Sequence, residues 1–269
     1  MFRFLSCLLF SWGFATGASA QVQVTLAMDH LRLAELIEIV RSEGIDCADS
    51  LDTDMLNGQD GPVWAEQIDT IYNIQLMSEI VRNEIATLPE DQLRQINQFY
   101  SGLLGVDIVE LEMAARAAMQ HIDIKNLAVD SYQIALAEDP QSVENILTIN
   151  DADQLIDRNV TATLTPNYKF YLGLVDGGAF EASVDEVIEQ TWAQESEIRR
   201  DTTNWMMGYL LLSYQPLDDS EIATLVAFTQ TQAGRALNAA IFEGFGSMYA
   251  DISYALGRAI ALNMVASDL

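Results

Sequence analysis

Apolar residues recur at three- and four-residue intervals along almost all of this chain, a spacing that favours helices over strands. In "LRLAELIEIVRSEGI", Leu33, Leu36, Ile37 and Val40 share one helical face, and Gly44 reads as a stop. The run "WAEQIDTIYNIQLMSEIVRNEIATL" continues the rule through Ile68, Ile71, Tyr72, Leu76 and Ile80, with Ile74, Met77 and Val81 widening the stripe. "TTNWMMGYLLLSYQ", from Thr202 to Gln215, has the length of a helix buried in a soluble core and is too short to cross a bilayer. Only "NVTATLT", Asn159 to Thr165, alternates as a strand would. The expected fold is all-α, a multi-helix bundle with little or no β structure.

Two stretches correspond without a gap. Setting "LPEDQLRQINQFYSGLLGVDI" against "LDDSEIATLVAFTQTQAGRAL" pairs Leu88 with Leu217, Leu93 with Ile222, Ile96 with Leu225, Phe99 with Phe228, Gly105 with Gly234 and Ile108 with Leu237. Each copy begins like a helix: Asp218 caps, Glu221 closes a capping box, and Leu217 staples onto Ile222. The first copy keeps the staple, Leu88 onto Leu93, with Pro89 in the cap position and Gln92 in place of the glutamate. The bundle thus reads as two pseudo-repeats, residues 30–125 and 166–266, joined by a connector, 126–165, with Pro140, "NDAD" and a turn before Pro166. A glycine within a helix costs roughly 1 kcal/mol against alanine. Its return at Gly105 and Gly234 therefore indicates close backbone approach or a change of helix direction. If close approach explains them, leucine there should cost more than alanine.

The leucine, the acidic helix start and then Phe99-Tyr100-Ser101 followed by Gly105 resemble the bacterial "domain of unknown function 2059" family. The second copy keeps Phe228 and Gly234 but has Thr229 and Gln230 for the tyrosine and serine. The resemblance covers about thirty residues per copy. It implies an exported, all-helical bacterial protein and brings no catalytic residues.

Residues 1–20 combine Arg3, an apolar stretch from Phe4 to Phe14, and Ala18-Ser19-Ala20 before Gln21, the pattern of a cleaved secretory signal peptide. A bacterial chain so equipped is expected in the periplasm. The formal charge of -27 repels nucleic acid and anionic lipid and favours a protein partner or a cationic ligand. Acidic and apolar residues are interleaved, so the charge is compatible with a large core. Cys47 is the one cysteine left after processing, and its expected place is within a helical core.

The sequence offers no catalytic, cofactor or metal site. His30 and His121 are far apart, neither follows a glutamate by three, and one mature cysteine makes no zinc spacing. "DTDMLNGQDG", residues 52–61, approaches a calcium loop but has Leu56 at the fifth position and Val63 at the twelfth, so it reads as a solvated turn. Glu110 and Glu112, two apart, point to different sides of a helix. Glu243 stands among apolar neighbours and reads as a helix-edge charge or an arginine partner rather than a catalytic acid. Ala236, Ala240 and Gly244 recur at four-residue spacing that allows close helix contact. Phe242, Phe245, Tyr249 and Tyr254 line a pocket or fill the core. The favoured function is a non-enzymatic periplasmic interaction or structural protein. The alternative is a small-molecule binder or weak hydrolase using a cleft between the repeats.

Overall fold

The computed structural model describes residues 15–58, 61–138 and 140–267, and every regular element among them is an α-helix. In the first half these are α1 (Ala15–His30), α2 (Leu33–Met55), α3 (Pro62–Ile71), α4 (Ile74–Ile85), α5 (Glu90–Tyr100) and α6 (Leu103–Ala118). There follow α7 (Ile122–Glu138), α8 (Pro140–Asp153), α9 (Leu155–Asp176) and α10 (Val184–Trp192). The chain continues through α11 (Glu195–Tyr214), α12 (Asp219–Thr229) and α13 (Gln232–Ser267). The all-α expectation holds. Of the expected leader, residues 1–14 lie outside the described residues, while 15–20 form the first turns of α1.

The local expectations differ from the structure in several places. Asn159–Thr165 is not a strand but the second and third turns of α9, because Val160 and Leu164 are four apart and bury on one helical face. Pro166 sits inside α9 rather than after a turn, and its own burial holds it there despite the missing backbone donor. The connector is therefore helical, made of most of α7, all of α8 and the first half of α9.

Gly44 does not stop α2. The Tyr72 ring occupies the place its side chain would take. The run from Trp64 breaks at Tyr72–Asn73, where the Asn73 carboxamide accepts from the N–H groups of Gln75 and Leu76 and starts α4. Leu76 faces solvent as a result. Of residues 52–61, Asp52 belongs to the last turn of α2 and is buried, Asn57 and Gly58 take positive φ, and 59–60 lie outside the described residues.

The core has two parts, and each mixes the halves of the chain. One gathers Ile37, Val81, Ile85, Leu93 and Ile96 from α2, α4 and α5 with Met248 and Ile260 of α13. The other gathers Ile108 of α6, Ile146 and Ile149 of α8, and Met207, Leu210 and Leu225 of α11 and α12. Phe99 packs against the second part and Phe228 against the first. Their rings stack at 3.9 Å with an interplanar angle of 7°, and Tyr100 meets Phe228 edge-on at 5.5 Å. The pair ties the two parts together.

Gly105 and Gly234 occupy matching corners. Ser101 and Gly102 separate α5 from α6, as Gln230 and Thr231 separate α12 from α13. The N–H of Gly102 donates to Phe99 O at 3.1 Å, and that of Thr231 to Phe228 O at 2.9 Å. Each glycine is the third residue of the new helix, where the chain has just doubled back. A Cβ on Gly105 would meet Tyr100 Cα at 2.6 Å and overlap Phe99 O; one on Gly234 would meet Thr229 Cα at 2.7 Å and overlap Phe228 O.

The obstacle is backbone, and the first side-chain atom already strikes it. Contrary to the sequence-based expectation, alanine and leucine at Gly105 should therefore cost about the same, roughly 2–3 kcal/mol. Urea midpoints of the two variants check this; a near-neutral alanine variant would contradict it.

Candidate functional site

α6 directs its functional groups inward from two successive turns. Glu110 is exposed, whereas Glu112 and Arg116, one turn apart, face α11. The Tyr214 hydroxyl donates to Glu112 Oε1, and the Tyr209 hydroxyl donates to the Glu112 carbonyl at 3.2 Å. Arg116 forms an ion pair with Glu43 of α2, and its guanidinium lies 5.9 Å from the centre of the Trp205 ring, which stacks on Tyr209 at 5.3 Å.

Burial pushes the Tyr214 and Tyr209 hydroxyls well above the usual phenol range, and the nearby Glu112 pushes both further. Burial likewise raises Tyr249 on α13 to about 12, where Arg116 lowers it and Glu43 raises it. A cavity of about 220 Å³ adjoins this network between α6, α11 and α13, with Phe228, Gly234 and Phe242 also in its wall. Tyr209 and Tyr214 of α11 both bond to Glu112 of α6, so this polar cluster locks the two helices together.

A larger cleft, about 940 Å³, opens on the other side of Phe242. Its floor is one face of α13: Ala236, Ala240, Glu243, Gly246 and Ala250. Glu84 of α4 and Thr87 in the turn after it form one wall, and Asp157, Arg158 and Thr161 of α9 form the other. Glu243 is exposed here. The cleft exists because α9 and α13 touch closely at Gly173 and Gly257 and diverge towards Gln154 and Ala236.

Sequence reasoning missed that contact. The small residues it singled out serve otherwise: Gly244 meets Val81 of α4, and Ala236 lines the cleft. Phe245 and Tyr249 pack on the first core part, and Tyr254 donates to Asp176 Oδ2 at 2.9 Å.

The remaining candidates stay apart. Cys47 is exposed on α2, not in the core as expected. It directly precedes Ala48, the buried position of that turn, so the helix carries the thiol to the flank. Partial burial raises its pKa, which reduces thiolate at neutral pH. His30 and His121 join no group of three metal-ligating side chains among the described residues.

A third surface is apolar and exposed. Phe180 and, at four-residue spacing on α10, Val184, Ile188 and Trp192 face solvent, while Val187 and Thr191 bury against α9. Trp192 is 57% exposed. Asp185 and Glu189 run alongside that stripe. The short helix is fixed by a capping box in which Ser183 and Glu186 satisfy each other's backbone N–H groups.

No protein-family model, no curated protein and no solved structure matches this chain. Among the described residues no helix is long and apolar enough to cross a membrane.

Proposed function

We propose that this chain is an exported, non-enzymatic interaction protein, built from two copies of one helical unit and docking a cationic amphipathic helix on α10. The observation that carries the docking reading is the solvent-facing row Val184, Ile188 and Trp192 beside Asp185 and Glu189. An apolar row of this kind on a surface helix suits helix-in-groove recognition, and its acidic border selects a partner with lysine or arginine beside its own apolar face. A second copy of this chain is the poorer occupant, since like-charged borders would meet in a molecule of formal charge -27.

The repeat reading draws support from helix ends that recur at one offset. Those of α5, Glu90 and Tyr100, correspond to Asp219 and Thr229 of α12, and Leu103 at the start of α6 corresponds to Gln232. The matched Phe–Gly corners likewise favour kinship with the domain of unknown function 2059 family. Sequencing the amino terminus of the protein recovered from the periplasm tests export, with Gln21 as the expected first residue.

The docking reading is tested by titrating the protein with a synthetic helix bearing one leucine face bordered by lysines, monitored by tryptophan fluorescence. Ile188→Asp and Trp192→Ala should each weaken binding about tenfold or more, the effect of losing a central apolar anchor. Leu127→Asp, at an exposed apolar site on α7, should leave it unchanged. Equal binding by all variants, or by a peptide with glutamate for lysine, would overturn the assignment.

A further inference from the structure

We infer that the cleft over α13 is a binding site for a short zwitterionic peptide, with Arg158 holding its carboxylate and Glu84 and Glu243 its ammonium group. The cleft shares no residue with the docking face on α10. Arg158 is the first observation. In a chain with 40 acidic and 13 basic residues, it makes no ion pair among the described residues. Its sequence neighbour Asp157 is engaged by Arg199 at 2.6 Å. The Arg158 guanidinium lies 5.5 Å from the centre of the Phe242 ring, and its Nε is shielded from solvent without a hydrogen-bond partner. The Nε faces the protein, so it is the outer edge of the guanidinium, set on an aromatic face in the cleft lining and paired with no carboxylate, that is placed to receive one.

Gly246 is the second observation and is independent of the first. Glycine weakens a helix interior, and elsewhere in α13 the structure supplies the reason: Gly234, Gly244 and Gly257 each lie where a neighbouring backbone crowds the missing side chain. A Cβ on Gly246 would meet nothing within 4 Å. It would project from the floor of the cleft, so the space kept open there is the cleft's own.

The third observation is the arrangement of charge. Glu84 and Glu243 also make no ion pair among the described residues, and Glu84 stands on the wall opposite Arg158. A ligand with opposite charges at its two ends satisfies both walls, whereas a simple anion would face two carboxylates. The cleft's volume, about 940 Å³, exceeds what a single amino acid fills and accommodates a peptide of a few residues.

Calorimetric titration with tri-L-alanine, its N-acetyl form and its carboxamide tests the assignment. The free peptide should bind most tightly, with each capped form weaker by about tenfold, the typical effect of losing one charged hydrogen-bonded contact. Arg158→Met should lower affinity for the free peptide to that of the carboxamide and leave the carboxamide unaffected. Glu243→Gln, at an exposed position, should weaken the free peptide more than the acetylated one.

Gly246→Leu should abolish binding of all three while leaving the melting temperature unchanged or raised, so that loss of binding is not loss of fold. Equal affinity for the three peptides, no saturable binding to the wild-type protein, or unimpaired binding by Gly246→Leu would each overturn the site.

Discussion

Gly257→Ala lowers stability by about 3 kcal/mol, roughly 6–12 °C in melting temperature for a domain of this size. The side chain added is a single methyl group, and in most helices it would be stabilising. Here α9 and α13 meet backbone to backbone. A Cβ on Gly257 would lie 3.0 Å from Phe170 C and overlap Phe170 O, and one on Gly173 would lie 2.9 Å from Arg258 N and overlap Tyr254 O. Neither neighbour is a flexible side chain, so relief requires the helices to separate along their most extensive contact. Gly246→Ala, one face away on the same helix, is the control and should be neutral or stabilising. Thermal melts of the two variants decide the matter: similar melting temperatures would show that α9 and α13 can part without cost.

Alkaline unfolding is the second large effect. Burial raises the hydroxyls of Tyr72, Tyr209, Tyr214 and Tyr249, the last to about 12, whereas an unfolded tyrosine titrates near 10. A group whose folded pKa lies above its unfolded value contributes stability that is complete below the unfolded pKa. That contribution is lost as pH climbs towards the folded pKa.

Each such tyrosine adds about 1.4 kcal/mol of loss per pH unit above 10, and four together about 5. With a total stability of roughly 5–15 kcal/mol, the protein should unfold cooperatively within about one to three units above pH 10. Tyrosinate absorbance and loss of helical circular dichroism should then coincide. Absorbance rising well ahead of unfolding would mean that these hydroxyls are open to solvent. Tyr214→Phe should flatten the alkaline slope by one tyrosine and cost about 1.5–3 kcal/mol at neutral pH, because it removes the bond to the Glu112 carboxyl group.

The helical fold was legible because its signal is periodic. Leu33, Ile37 and Val40 bury as their spacing requires, and Asp218 with Glu221 forms the capping box that its sequence spells. The corners at Gly105 and Gly234 were visible as glycines recurring against helix propensity, although not as backbone collisions, which depend on how each chain doubles back.

The α9–α13 contact was not legible. Gly173 and Gly257 are isolated in sequence, and their meaning arises only when two distant helices cross. Cys47 was misplaced because residue type describes an average, whereas the helical arc, set by Ala48 next to it, decides the individual case. The pairing of Glu112 with Tyr214 spans 102 residues, and the cleft around Arg158 depends on three helices at once. No local pattern carries either. Their one trace in the sequence was an arginine among acidic residues and a glycine in a helix, each unremarkable until its neighbours are known.

The reach of α13 also bears on when the molecule can fold. Asn263 donates to Gln67 across 196 residues, and Met248 and Ile260 complete a core whose other members include α2, α4 and α5. Those early helices emerge during synthesis with their apolar faces unmatched and wait until the distant helix arrives. Such long-range closure is slow. The amino-terminal helices can therefore complete their core only when nearly the whole chain is present.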